Sequence, residues 1–146
     1  MAQMARAHAE TGGNLVAVME VPQAHTARYG IVDPGREDGS LVEVRGLVEK
    51  PAPEAAPSRY AVIGRYILDA AVFRHLDRHE IGAGGEIQLT DAMQRLIGSQ
   101  PFFGYRFAGR RFDCGDKLGY LEAIVATALA RPDLGADFAA LLDQYR

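Results

Sequence analysis

The sequence predicts an α/β protein in which a mixed β-sheet lies between helices. The segment 15–21 is short, apolar and rich in β-branched residues, which is typical of a strand buried on both faces. The segments 70–79, 87–99 and 118–129 carry apolar residues along one side at helical spacing. A strand that is buried on both faces needs a helical layer on each side, so we expect helices to cover both faces of the sheet.

The first half of the chain predicts one helix and three extended segments. These are a helix over 1–11, a strand over 15–21, a brief extended piece over 29–32 and a strand over 41–49. Gly12 and Gly13 end the helix, since glycine readily takes the left-handed conformation found at helix ends. Asp33-Pro34-Gly35 is a turn signal after the brief extended piece, which can form a hairpin-like excursion with the following strand.

The second half alternates strands and helices. The predicted elements are a strand over 60–68, helices over 70–79 and 87–99, an aromatic strand over 102–107, a helix over 118–129 and a final helix, so that the chain is helical from about 117 to 146. Asp69 is the predicted N-cap of the first of these helices and Asp116 that of the third. Thr90 or Asp91 is predicted to cap the second.

Composition narrows the class of protein. A chain of 146 residues is the size of one ordinary domain, and we predict a single unit over 1–146. It has no apolar run of the roughly 20 residues that a membrane span requires. Its net charge of -3 and scattered arginines argue against a nucleic-acid partner. A lone cysteine and an amino terminus without a secretory signal predict a cytoplasmic protein.

Glu49 and Lys50 place an acid beside a base at the end of a strand. Valines at alternate positions from 42 onward have the period of a strand, and Pro51 lacks the N–H that a continuing ladder would need. A carboxylate can accept hydrogen bonds from sugar hydroxyls, and an ammonium can bind phosphate, so the pair suits a sugar phosphate. The alternative is a solvated pair on the rim, which is the commoner arrangement for adjacent Glu and Lys.

Three further residues are candidates for a site. Gly30 and Gly64 lie inside predicted strands, where a glycine marks either a bulge or a close approach to the backbone. Asp113 is placed at the end of a strand, where ligands gather in open α/β sheets, so it could bind a metal or substrate. Equally, Asp113 could be a turn aspartate that bonds its own backbone.

Six motifs occur in a fixed order along the chain. They are TGGN at 11–14, RYGIVD at 28–33, LVEKP at 47–51, YAVIGRYIL at 60–68, GGEIQLTDA at 84–92 and FDCGDKLGY at 112–120. Together they resemble the C-terminal part of bacterial UTP–glucose-1-phosphate uridylyltransferases, from about residue 10 to about residue 133. Thymidylyl-transferring relatives share several of these landmarks, although FDCGDK is more similar to the uridylyl enzymes.

The resemblance implies a Rossmann-like nucleotidyltransferase fold and a Mg²⁺-dependent reaction. In that reaction glucose 1-phosphate attacks the α-phosphorus of UTP, giving UDP-glucose and pyrophosphate, with no covalent enzyme intermediate. By resemblance, Lys50 is the candidate catalytic residue and contacts the sugar phosphate, and Asp113 is one of two aspartates that hold Mg²⁺. The remaining substrate-binding residues implied by the resemblance are Gly30, Glu49, Val62, Ile63 and Gly64.

The chain also departs from the family pattern. The glycine-rich nucleotide loop and the first metal aspartate of the family are not in this sequence, so the resemblance implies that the N-terminal nucleotide-binding half is missing and that the isolated chain is inactive. A half-sheet would expose an unpaired edge and apolar surface, so we expect self-association into a homo-oligomer, strand exchange or an altered topology. The alternatives are another sugar-1-phosphate nucleotidyltransferase, such as a thymidylyl enzyme, or a non-catalytic sugar-phosphate-binding module.

Overall fold

The computed structural model describes residues 1–82 and 85–145, which form two compact units, Met1–Phe107 and Ala108–Arg146. The first unit contains strands β1 (Asn14–Glu20), β2 (Gly30–Asp38), β3 (Leu41–Glu49), β4 (Tyr60–Ile67) and β5 (Phe102–Arg106), and helices α1 (Ala2–Thr11), α2 (Ala71–Leu76) and α3 (Leu89–Leu96). The second unit contains α4 (Lys117–Leu129) and α5 (Gly135–Asp143). Gly84, the first residue of the GGEIQLTDA motif, lies outside the described residues.

The sheet is mixed, as predicted. β1 pairs with β5 in parallel and with β4 in antiparallel orientation, while β2 pairs with β3 and β4, and β3 with β5, all antiparallel. The order β1-β4-β2-β3-β5 closes on itself as a barrel. The expectation of an unpaired sheet edge is therefore wrong for the described strands, because the β2–β3 hairpin pairs with β4 on one side and with β5 on the other.

Helices cover both faces of β1, because its side chains alternate between the two sides. Leu15 and Ala17 pack in the cluster that contains Met4 and Ala7 of α1. Val16 and Val18, which alternate with them, belong to a larger cluster that joins β1, β2, β3 and β5 to α2 and α3. The other members of this cluster are Val32, Val44, Leu47, Ala71, Val72, Ala92, Met93, Leu96 and Phe102. The predicted burial of the first strand on both faces is thus confirmed.

β2 is longer than predicted. The strand continues through Asp33-Pro34-Gly35 to Asp38, so the turn predicted at those three residues is wrong. Its pairing with β3 shifts register on either side of Pro34, whose missing N–H interrupts the ladder without ending it. The hairpin turns instead beyond Asp38, where Gly39 has a φ of 56°.

Two helices are shorter than their periodicity predicts. α2 stops at Leu76 and α3 spans Leu89–Leu96. The predicted ends at 79 and 99 cannot be reached, because His79 and Gly98 take positive φ angles that an α-helix cannot contain, and Ile97 is already extended. Capping by Thr90 or Asp91 is also wrong, since both lie inside α3.

The two aspartates predicted as caps both bond helix amides. Asp116 accepts a hydrogen bond from the Gly119 N–H at 3.0 Å, which confirms it as the cap of α4. Asp69 lies one residue before the N-cap position of α2 and accepts the Ala71 N–H at 2.7 Å.

Asn14 joins the starts of three elements at the edge of the core. It is buried, and its amide group donates to Gln100 Oε1 at 2.8 Å and to the Pro101 carbonyl at 3.4 Å. Its Oδ1 accepts the Asp69 N–H at 2.8 Å. These bonds align the beginnings of β1, β5 and α2 and satisfy polar groups that would otherwise be buried unpaired.

None of the described helices is long and apolar enough to cross a membrane.

Candidate functional site

The carboxylate of Glu49 is the centre of a small polar cluster at the end of β3. Its side chain is only 16% exposed, and its Oε2 accepts a hydrogen bond from Thr90 Oγ1 of α3 at 2.7 Å. Its Oε1 lies 3.9 Å from the Lys50 ammonium. The two oxygens therefore have different surroundings: the Thr90 hydroxyl holds one, and the other faces an exposed cation with room for further donors.

Gly30 leaves space beside that carboxylate. It pairs with Glu49 in the β2–β3 ladder. A Cβ added to it would lie 3.1 Å from Glu49 Oε2 and 3.6 Å from Thr90 Oγ1. Any side chain at position 30 would thus occupy the space in front of both oxygens. The sequence left two roles open for Gly30, a bulge or a close approach to the backbone. Gly30 pairs regularly with Glu49, so the close approach fits the structure better.

Lys50 turns the chain out of the sheet. β3 ends at Glu49, as predicted, and Lys50 follows with a φ of 45°, a conformation uncommon for a residue with a side chain. Its N–H donates to the Tyr29 carbonyl at 3.0 Å, which holds the turn against the start of β2. The Lys50 side chain is 64% exposed, so its ammonium is free to meet an anion from solvent.

Gly64 lies in a bulge of β4. Val16 and Val18 of β1 pair with Tyr66 and Val62, so three residues of β4 stand opposite a single residue of β1. Gly64 has a φ of 74°, and a Cβ added to it would have no heavy atom within 4 Å, so it faces open space. Bulges are common beside binding sites because they re-aim the backbone.

The predicted pocket residues of β4 do not all face the same way. Val62 packs against the cluster of α2 and α3, on the side of the sheet that carries Tyr66. Ile63 packs against the cluster of α1 on the opposite side. Ile31 of β2 pairs with Ala61, so the ladder places the start of β2 beside the start of the bulge. Val62 and Ile63 therefore lie on opposite sides of the sheet, and of the two only Val62 shares the side of Tyr66.

Two residues of this cluster escape prediction from the sequence. Thr90 looks like a capping residue, yet its hydroxyl bonds a carboxylate 41 positions away. Tyr66 is half-buried, and its pKa is raised by burial and by the negative charge of Glu49. Glu49 and the Tyr66 phenol therefore interact electrostatically. Both residues lie within motifs of the family resemblance, which is the one signal that could have singled them out.

Asp113 lies in the second unit, and its expected position at the end of a strand is wrong. β5 ends at Arg106, and no described strand pairs with residues 107–113. Asp113 Oδ1 accepts the Gly115 N–H at 3.2 Å, which is the turn geometry of the alternative interpretation, and Oδ2 lies 3.3 Å from the Arg111 guanidinium. Among residues 1–82 and 85–145, no three His, Cys, Asp or Glu side chains are grouped as metal ligands. Metal binding by Asp113 remains a prediction.

Comparison with known proteins identifies relatives of this chain. The family model described as nucleotidyl transferase matches residues 1–128. A UTP–glucose-1-phosphate uridylyltransferase of Komagataeibacter xylinus is 58% identical over 116 residues, which are 80% of this chain and 41% of that protein.

Solved structures agree with this match. A UTP-bound UGPase from Acinetobacter baumannii superimposes with a TM-score of 0.86 at 36% identity, covering 99% of this chain and 50% of that one. A UDP-glucose pyrophosphorylase complexed with UDP-glucose gives 0.82 at 36% identity, covering 88% and 49%. The chain thus spans about half the length of these relatives, or somewhat less. Its mixed sheet with flanking helices, its ordered motifs and these matches agree, and the chain belongs to the nucleotidyl transferase family.

Proposed function

We propose that this chain is the sugar-1-phosphate-binding half of a UTP–glucose-1-phosphate uridylyltransferase. The observation that carries the proposal is the cluster in which Thr90 holds Glu49, Gly30 leaves space before it and Lys50 extends into solvent. The 58% identity to a uridylyltransferase supports the uridylyl group over other nucleotides. The chain spans about half of such proteins, so the nucleotide-binding part is supplied by sequence outside it and the isolated chain is inactive.

The cluster suits a sugar because its oxygens accept hydrogen bonds. An ionised carboxylate can only accept hydrogen bonds. The Thr90 hydroxyl uses its hydrogen in the bond to Glu49 Oε2, so its oxygen lone pairs are what it can offer to a ligand. Sugar hydroxyls are donors that match both groups. The Val62 side chain and the Gly64 backbone supply the adjoining wall, with the Ile63 backbone between them.

The sugar phosphate would lie towards Lys50. The Lys50 ammonium is exposed and close to Glu49, so it can offset phosphate charge while the hydroxyls are held. A phosphate oxygen of glucose 1-phosphate then forms a bond to the α-phosphorus of UTP as the bond from that phosphorus to pyrophosphate breaks. The protein residues in this step position reactants and stabilise charge, which is the main requirement of phosphoryl transfer.

Members of this family generally use a divalent metal ion, and we propose that this chain contributes Asp113 to a Mg²⁺ site. Mg²⁺ prefers hard oxygen ligands, and Asp113 offers a partly exposed carboxylate. The backbone turn to Gly115 fixes one carboxylate oxygen, and Arg111 lies beside the other. One carboxylate fits one position of a Mg²⁺ shell, and the bound ion would neutralise phosphate charge. Because the proposed substrates are UTP and glucose 1-phosphate, we also propose a cytoplasmic location.

The test uses a chimera in which this chain completes the part of the Komagataeibacter xylinus relative that it does not span. We expect Lys50→Ala to lower kcat/KM for glucose 1-phosphate by about tenfold or more, because a charge-assisted contact is lost. The exposed Arg74 of α2, which lies outside the six motifs, is replaced by Ala as the matched control. Unchanged kinetics in Lys50→Ala would overturn the proposed role.

A further inference from the structure

The β2–β3 hairpin is attached to the rest of the barrel by short ladders. Its own strands pair along most of their length, from Gly30 with Glu49 at one end to Asp38 with Leu41 at the other. It meets β4 through a single residue pair, Ile31 with Ala61. It meets β5 through Leu41–Glu43 alone. The hairpin is therefore a coherent piece whose connections to neighbouring strands are few.

An open cavity lies against the outer half of the hairpin. This cavity, of about 690 Å³, is lined on one side by hairpin residues. Its other side is lined by Thr11 and by residues 97–98 and 100–103, which run from the end of α3 into the start of β5. The hairpin contributes charged residues to this lining, namely Arg36, Asp38, Glu43 and Arg45. The hairpin side chains that face this open cavity have no packing partner on that side. The tip is consequently less firmly bound than a well-packed element.

A cluster of three side chains fastens the tip across this weak region. Glu37 of β2 accepts a hydrogen bond from the Tyr60 hydroxyl of β4 at 3.0 Å and lies 3.1 Å from the Arg106 guanidinium of β5. Arg106 also donates to the Tyr60 oxygen at 3.2 Å and to the Gly39 carbonyl. The Arg106 N–H donates to the Ser40 carbonyl at 2.8 Å.

The base of the hairpin is held quite differently. Ile31, Val32 and Leu47 are buried in the core. Gln94 Oε1 of α3 accepts the Leu47 N–H at 2.6 Å, and Thr90, one helical turn earlier, holds Glu49. Both bonds anchor the end of β3 to a helix, so the base resists motion that the tip does not.

We propose that the β2–β3 hairpin is a strap that opens at its tip, hinged at the Gly30–Glu49 end, and that Glu37, Tyr60 and Arg106 are the latch that keeps it closed. Opening separates Leu41–Glu43 from β5 and widens the cavity. It also exposes the buried Val42, so the open form is a minor state of the native protein. Glu49 stays bonded to Thr90 at the hinge, so the proposal does not depend on the sugar-phosphate site.

Amide hydrogen exchange of the whole chain, followed by NMR, tests the strap. Arg106→Met keeps the aliphatic stem but removes the charged contacts of the latch. We expect the amides that bond β3 to β5, and the amide of residue 106, to exchange about tenfold faster, as the loss of a hydrogen bond to a charged group implies. Amides of the β1–β4 ladder and of the Gly30–Glu49 end should keep their rates. Arg59→Met is the matched control, because Arg59, which precedes β4, bonds Glu20 at the end of β1 and not a hairpin residue.

Tyr60→Phe provides a milder second variant that keeps the ring and the Glu37–Arg106 ion pair. It should accelerate exchange of the same amides by a smaller factor, and it decides the matter if Arg106→Met does not fold. Faster exchange spread evenly through the barrel would show global destabilisation and overturn the strap. Rates indistinguishable from those of Arg59→Met would also overturn it.

Discussion

At the scale of single residues, the candidate site depends on contacts between positions far apart in the chain. Glu49 and Lys50 are recognisable in the sequence as an acid and a base where a strand must end. The group that orients Glu49 is not, because the Thr90 hydroxyl reaches it from a helix 41 positions later. Local pattern suggested a helix cap for Thr90, and tertiary packing gave its hydroxyl a different partner.

Thr90 should matter for ligand binding through its hydroxyl alone. Thr90→Val preserves the shape of the side chain but frees Glu49 Oε2, so we expect glucose 1-phosphate to bind about fivefold more weakly, the effect of one hydrogen bond. Titration of the chain followed by NMR measures this. Thr90→Ser should retain most of the affinity, and the exposed Thr127→Val should leave it unchanged. Equal affinity in the Val and Ser variants would contradict a role for the hydroxyl.

Gly30 provides a steric test of the same space. Gly30→Ala puts a Cβ 3.1 Å from Glu49 Oε2, so the carboxylate must move and ligand affinity should fall severalfold. Gly46→Ala is a matched control in the same hairpin, since its Cβ would meet Asp33 Cβ at an ordinary 3.5 Å. The measurements are glucose 1-phosphate affinity and Tm. If Gly46→Ala loses as much affinity as Gly30→Ala, the space before Glu49 is not the cause.

At the scale of elements, strands were predictable where their apolar pattern is strong, and their extent was not. β1 and β3 follow from alternation and β-branched composition, and Pro51 marks the end of β3. β2 continues past its predicted turn because it pairs with β3 on both sides of Pro34. α2 and α3 stop early because His79 and Gly98, near the ends of the predicted helices, adopt positive φ. Partners and backbone angles of this kind are set by the assembled fold.

The latch between β2, β4 and β5 should make stability sensitive to alkaline pH. The pKa of Tyr60 is raised above 10.0 by burial first and then by its hydrogen bond to Glu37. The folded state therefore holds the proton more tightly than the unfolded chain. This stabilisation is complete below about pH 10 and is lost as the pH rises through the folded-state pKa.

Urea unfolding at pH 8 and at pH 10.5 measures the effect. We expect Tyr60→Phe to lose less stability between the two pH values than the unsubstituted chain does. The pKa of Tyr66 is also raised, by burial and by the charge of Glu49, so part of the alkaline loss should remain in that variant. Tyr145→Phe, at an exposed position, is the control. An unaltered pH dependence in Tyr60→Phe would refute the link.

At the scale of the whole molecule, the second unit presents an apolar surface. Among the described residues of α4 and α5, none is buried, and Leu118 is 75% exposed. Large apolar side chains that are more than a third exposed also include Tyr120, Leu121, Ile124, Leu129, Leu134, Leu141 and Tyr145. Exposed apolar side chains in this number promote association in water, which supports the expectation of a homo-oligomer.

We therefore expect the isolated chain to self-associate through α4 and α5. The double variant Leu118→Glu and Leu121→Glu should shift its mass towards that of a monomer in size-exclusion chromatography with light scattering. Ile81→Glu, at a similarly exposed apolar residue of the first unit, should leave the mass unchanged. A monomeric parent chain at micromolar concentration would remove the basis for this expectation.

The sequence by itself determined the class of fold, the family and the Glu49-Lys50 pair, because apolar periodicity, turn residues and ordered motifs are local properties of a chain. The tertiary structure decided the rest. It closed the sheet through the hairpin and brought Thr90 to Glu49. Each of these depends on which distant segment supplies a partner, and hydrogen-bond pairing between distant segments follows from the packing of the whole fold.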